Sequence, residues 1–326
     1  MRWIMPVVFA LTGALLLAAA GVARGTARPG VQALAGLDSA EIPAIEAQMR
    51  AVERWRGTPF TRPVAVRRAE APADGRQGWY DAESGVLTLA VGPAHALYLA
   101  TVTHELVHAL QDQHVDLGLL AARRDADAAA ALHAVAEAEA LAGTEAILGF
   151  SMAAHLQPAA DAPIDASHAQ LLFEAGPARR WLDENGGPGR ALTAPPPTTA
   201  ALFGGEAAPP ASPGCGPAAG ATAGALSLWR IATTAPVSRP HADGLAAAWQ
   251  GDRWEGGAAG GAWGIRFGAA PTPEVVDAFI AGLSAALAPH GCGNGGAACP
   301  EVSGALQPAA GGVDLCLRWS TAARPG

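Results

Sequence analysis

Residues 103–114 read THELVHALQDQH, with His104 and His108 four apart and Glu105 directly after the first. On an α-helix, positions i and i+4 share one face about one turn apart, so both imidazoles would point at one place. Glu105 would be rotated about 100° from His104. That spacing suits two nitrogen ligands to one metal ion, with a carboxylate placed to reach a water on the metal rather than the metal itself. The competing reading is two surface histidines and a solvated ion pair. The position inside a long apolar-faced helix, behind a strand hairpin, favours the metal.

A catalytic zinc ion usually takes three protein ligands and keeps one position for water. His114 stands six beyond His108, where the H-x-x-G-x-x-H arrangement would put a third histidine. Residue 111 would then be the glycine that turns the chain, but it is Gln111, so the helix continues and His114 points elsewhere. The other solution is a glutamate from a following helix. ALHAVAEAEALAGTEA (131–146) offers Glu137, Glu139 and Glu145 in an otherwise apolar stretch. An unpaired buried carboxylate is costly, so these acids need a partner or a solvent face. Helical phase leaves all three open. Asp112, four beyond His108, is a candidate to orient an imidazole, or else a polar residue near a helix end. For a group that stabilises negative charge on a substrate, His133, His155, His168, His241, Arg253 and Tyr98 are all open.

The elements that must hold these residues follow from pattern. Ser39 can cap a helix running to about Arg56, closed by Gly57. PVAVRRAE (63–70) alternates like a strand, and GWYDAESGVLTLAVG (78–92) reads as a hairpin turning at AESG. The strand Val86–Ala90 is a candidate edge for an extended peptide. In the histidine helix, Leu99, Val102, Leu106, Ala109 and Leu110 recur at three- and four-residue steps. An alanine-rich helix is predicted over Asp125–Ala154. Residues 186–224 are crowded with Gly, Pro and Ala, and mark a boundary. Beyond it, ALSLWRIAT (225–233), GAWGIRFG (261–268) and VDLCLRW (313–319) read as strands, and Pro273 opens a helix. Trp249 and a turn at Gly251-Asp252-Arg253 read as structural, with a buried Asp–Arg pair bracing the turn.

The 326 residues are half hydrophobic and 15% charged, enough for a real core. All 21 basic residues are arginine, and the net charge of -8 comes without a basic run, which argues against nucleic acid as a partner. Met1-Arg2 precedes an apolar run from Ile4 to Ala23, which reads as a secretory signal over 1–23, cleaved near Ala20 or Ala23. If it is not cleaved, the same run is a membrane anchor, and the only one. The expected location is therefore periplasmic, secreted or cell-surface. In an oxidising compartment Cys215, Cys292, Cys299 and Cys316 are expected to form two disulfides rather than a zinc site, because no C-x-x-C pair is present. A plausible hairpin pairs Cys299 with Cys316 and leaves Cys215 with Cys292.

THELVHALQDQHVDL resembles the metal-binding helix of the gluzincin class of zinc metallopeptidases. It is more closely similar to exported bacterial proteins of uncharacterised activity that carry a HELxHALQDQxFDL-type helix, followed by an ALVEGDA-type helix. AVAEAEA (134–140) matches the second pattern, with Ala138 for its glycine and Glu139 for its aspartate. LLFEAGPARRWLDENGG, PPPTTAALF and LAAAWQGDRW resemble further segments of that group, with Ala200 and Ala201 in place of a polar pair. The resemblance covers most of the chain beyond about Gly78. It implies Glu137 as third ligand, beside His104 and His108, with Zn2+ as cofactor, Glu105 as general base and Glu139 as a supporting group. It also implies a zincin-like α+β fold: a long metal-binding helix and a second Glu-bearing helix with a small sheet over 30–203, then a linker at 204–224. A smaller α+β part over 225–326 would carry the disulfides. The expected activity is hydrolysis of a peptide or protein substrate; the alternative is a zincin-fold binding or scaffold protein that keeps zinc without cleaving.

Overall fold

The computed structural model describes residues 28–71, 77–91, 95–122, 125–151, 172–205, 213–217, 222–234, 237, 239–257, 260–287 and 300–321. The signal segment, His155, His168, Cys292 and Cys299 lie outside these. The architecture is mixed α+β, with two four-stranded sheets and eight α-helices among the described residues. None of those helices is long and apolar enough to cross a membrane.

The first sheet follows the order β1-β2-β4-β3. It comprises β1 (Val31–Ala33), β2 (Val64–Glu70), β3 (Gly78–Asp81) and β4 (Val86–Val91). β2 runs parallel to β1 and β4, and β3 closes an antiparallel hairpin that pairs Tyr80 with Leu87. The hairpin expected over 78–92 is therefore present, but β4 is internal, with both edges paired. The edge strands are β1 and β3. Helix α1 (Ile42–Arg56) ends as expected at Gly57, whose φ of 70° lets its N–H return to the Glu53 carbonyl. Its start is not capped by Ser39: Glu41 precedes the first turn, and its carboxylate is turned to Arg68 and Tyr98.

Helix α2 (His95–Val115) carries both histidines. Val102, Leu106, Ala109 and Leu110 are buried as the periodicity predicts, while Leu99 is exposed. They pack with Ile45, Met49 and Val52 of α1 and with Val66, Leu87 and Leu89 of the sheet. After the short α3 (Leu117–Ala122) comes α4 (Ala126–Leu148), opened by Asp125, whose side chain accepts from the Ala128 N–H. Gly149, at φ 73°, closes α4 short of the expected Ala154. α4 is buried nearly all round, which small side chains permit: Ala140 joins the first core, while Ala131, Val135 and Ala138 join the second. At Gly143 a Cβ would lie 2.8 Å from the Trp55 ring and 3.0 Å from Val107, so glycine lets α4 approach α1 and α2 closely.

The second core collects α5 (Arg179–Glu184), α6 (Gly224–Thr234), α7 (Arg239–Ala248) and α8 (Pro273–Leu287) around the second sheet. That sheet is antiparallel in the order β5-β6-β8-β7, from β5 (Trp249–Gly257), β6 (Gly260–Phe267), β7 (Pro300–Ala309) and β8 (Gly312–Thr321). Residues 225–233, expected as a strand, are α6. Ala225, Leu228, Trp229 and Ala232 are buried at helical spacing. Asp252 lies in β5 rather than in a turn. Its buried carboxylate accepts from Ala223 N, Gly224 N, Trp249 Nε1 and Trp263 Nε1, and so holds the start of α6, while Arg253 donates to Thr222. The Gly/Pro/Ala-rich segment is partly built into this core, since Thr199 is buried and bonded to Asp127 of α4. Cys215 is bonded to Cys316 of β8, which replaces the expected Cys299–Cys316 and Cys215–Cys292 pairing. The reason is register: Cys316 pairs with Gly264, and the chain at Cys215 lies directly over Gly264, where any side chain would collide with it.

Candidate metal site

α2 and α4 lie against each other, and their facing turns bring three chelating atoms together. His104 Nε2 is 3.0 Å from Glu137 Oε2, His108 Nε2 is 3.1 Å from His104 Nε2, and His108 Nε2 is 3.4 Å from the same Glu137 oxygen. A zinc ion bound tetrahedrally at about 2.05 Å would hold its ligand atoms about 3.3 Å apart. The spacing and the donor set, two imidazole nitrogens and a carboxylate oxygen, both fit zinc. Burial works to lower the His108 pKa, but the neighbouring Glu137 carboxylate outweighs it, with help from Glu105 and Gln111, and pushes it up to about 10. Burial likewise works to raise Glu137, and the two imidazoles hold it well below the usual carboxylate range. His108 and Glu137 thus share a proton across the cluster, and a metal ion held there would have to displace it. His104 is the most exposed of the three, so the cluster opens to solvent on its side.

Glu105 stands beside the cluster rather than in it. Its Oε2 accepts the Tyr80 backbone N–H at 2.8 Å, and the carboxylate is almost fully buried. Tyr80 N–H faces away from β4, so the edge strand presents a donor to the helix. α2 follows β3 closely: a Cβ at Gly78 would meet the Thr101 methyl at 2.6 Å.

The remaining acids separate cleanly. Glu139 is fully buried, with Oε1 2.8 Å from Arg56 Nε and accepting from Gly189 N, and Oε2 accepting from Gln111 Nε2. Glu145 lies near Arg179, away from the histidines. Asp112 does not orient an imidazole. It accepts from Tyr80 Oη, Arg62 Nη2 and Leu117 N, and so ties β3 to the end of α2 and the start of α3. Burial and Asp112 push the Tyr80 phenol up, so that it stays a donor. The position beside His108 belongs to Gln111, whose Oε1 is 2.8 Å from His108 Nδ1. From sequence, Gln111 counts only as the absence of a turning glycine. Its spacing of three from His108 and seven from His104 puts it on the ligand face, and that was the signal for it.

Of the residues proposed to stabilise charge on a substrate, His133 is at the cluster, with Nε2 3.6 Å from Glu137 Oε1 and a largely exposed ring. Tyr98 bonds Glu41, Arg253 bonds Thr222, and His241 lines a separate cleft on α7. His114 is turned to the Pro59 carbonyl. A groove of about 890 Å³ lined by Arg62, Glu83, Asp112, Gln113 and Leu119 opens beside the Asp112 end of α2, and none of His104, His108 and Glu137 lines it. Compared with protein-family models, with curated proteins and with solved structures, the chain matches none.

Proposed function

We propose that this chain is an exported zinc-dependent peptidase. The observation that carries the reading is the convergence of His104 Nε2, His108 Nε2 and Glu137 Oε2 beside a separately held carboxylate, Glu105. His104, His108 and Glu137 would hold the metal, the three-residue set that catalytic zinc sites use. Zinc bound there supplies Lewis acidity toward a carbonyl oxygen and makes water more acidic. Glu105 takes a proton from the attacking water as the new C–O bond forms, and delivers it to the amine as the C–N bond breaks. The Tyr80 N–H holds one carboxylate oxygen and fixes the orientation of the other. His133, at the rim, is placed to donate a hydrogen bond to a substrate. The Cys215–Cys316 bridge supports an oxidising compartment, in keeping with the signal-like N-terminus.

The test is metal content and cleavage of a mixed peptide library by the processed protein. The expected result is about one zinc per chain, lost in His104→Ala and His108→Ala. New peptide termini should appear with the wild type and not with Glu105→Gln. A wild type that binds zinc tightly, cleaves nothing and cannot be told from Glu105→Gln would make the chain a zinc-holding scaffold instead.

A further inference from the structure

When His108 binds a metal through Nε2, its Nδ1 keeps a proton, and the structure shows what holds that proton and so orients the ring. Gln111 is fully buried, and its Nε2 lies 2.9 Å from the Ala136 carbonyl oxygen and 3.2 Å from Glu139 Oε2. Both neighbours accept: the carbonyl has no proton to give, and Glu139 sits against the permanently charged Arg56. The amide must therefore turn its NH2 toward them and its oxygen toward His108. That oxygen accepts only, so His108 Nδ1 carries a proton and donates it, and Nε2, facing Glu137 and His104, is the ring nitrogen left to exchange its proton for a metal ion. Each choice forces the next, from Arg56 on α1 through Glu139 on α4 to Gln111 and His108 on α2. The chain of groups is dry: the Arg56 and Glu139 side chains are 2% and 0% exposed, and Gly189 N fills the other side of the carboxylate.

We infer that Gln111 is the positioning residue that fixes His108 as an Nε2 ligand, and that the buried Arg56–Glu139 pair locks Gln111 in that orientation. This rests on the zinc reading above, but asks something separate of the molecule. Groups that orient a ligating histidine typically account for about 10- to 100-fold in metal affinity.

The experiment is zinc affinity by chelator competition on the full processed chain, with the visible spectrum of the Co(II) form and the melting temperature of the metal-free form measured beside it. Gln111→Met keeps the bulk and removes the acceptor; it should bind zinc about 10- to 100-fold more weakly and alter the Co(II) spectrum. The exchange Q111E/E139Q keeps the total charge and the acceptor toward His108, while it reverses the bond between 111 and 139 and takes the donor away from the Ala136 carbonyl. It should recover part of the affinity lost in Gln111→Met, as a role in packing alone would not require. Gln111→Met with wild-type affinity and spectrum overturns the inference while leaving the site intact. Should Gln111→Met not fold, the ring tautomer of the wild-type zinc form, read by long-range 15N–1H NMR, decides alone: a metal on His108 Nδ1, or no proton held on that nitrogen, overturns the inference. A wild type that binds no zinc overturns the site itself, and this inference with it.

Discussion

Tyr80 gives its main-chain N–H to Glu105 across the gap between an edge strand and the helix that carries both histidines, at 2.8 Å. The bond uses an outward-facing donor of β3 to hold a side chain of α2, so the proposed base is fixed by the sheet and the proposed ligands by the packing of two helices. Base and ligands can therefore be lost separately.

Glu105→Gln should leave zinc in place, because the amide oxygen still accepts from Tyr80. Hydrolysis should fall by about 10²- to 10⁴-fold, the usual contribution of a general base. Glu137→Gln removes the anionic ligand, so zinc should be stripped by a graded chelator at far lower concentration, and Glu145→Gln should behave as wild type. Retention of zinc in Glu137→Gln with loss in Glu145→Gln would place the third ligand elsewhere.

Asp127 gives the fold a pH dependence of its own. Burial raises its pKa to about 6 against hydrogen bonds from Thr199 that lower it. The folded state then holds this proton more tightly than the unfolded state, whose pKa is the ordinary 3.8. The associated stability is fully present below the lower value and is lost as pH rises through the higher one, on the order of 3 kcal/mol. Urea unfolding of wild type and Asp127→Asn between pH 4 and 7 isolates the effect. The wild type should lose stability relative to the variant as pH rises; parallel curves would refute it.

Gly143→Val tests the contact between α4 and α2. A side chain there meets Trp55 and the fully buried Val107. The overpacking should cost about 1–3 kcal/mol, more than the roughly 0.5–1 kcal/mol that replacing a mid-helix glycine can gain. Pushing α4 away also carries Glu137 from the histidines, so zinc affinity should fall together with the melting temperature. A more stable variant with unchanged zinc affinity would show that the helices have room.

Non-reducing peptide mapping should recover Cys215 and Cys316 in one linked pair. The bridge spans 101 residues, a separation for which removal typically costs about 2–5 kcal/mol. Cys215→Ser/Cys316→Ser should unfold at correspondingly lower denaturant. A Cys299–Cys316 linkage in the digest would return the pairing to the one expected from sequence.

How much was legible differs by residue. His104, Glu105 and His108 were readable because their relation is local: helix geometry alone puts i and i+4 together. Glu137 was not separable by phase from Glu139 and Glu145, and came only by resemblance. What tells them apart is contact with chain far away, Arg56 and Gly189 for Glu139 and Arg179 for Glu145. Asp252 was misread for the same reason: its donors include the start of a helix nearly thirty residues upstream. Residues 225–233 misled in another way, since a short apolar run has no clear period and only its burial pattern, at three- and four-residue steps, marks the helix.

The order of strands in the second sheet has a consequence for biosynthesis. β8, made last of the four, pairs with both β6 and β7 and so fills the middle of the sheet. Until it emerges, β6 has an open inner edge, β7 has no partner in the sheet, and Cys215 has no Cys316 to join. Exposed strand edges recruit other chains. A message ending before Gly312 would thus yield a product with the proposed zinc ligands all present and the C-terminal sheet unable to close, marked for aggregation or proteolysis rather than for partial activity.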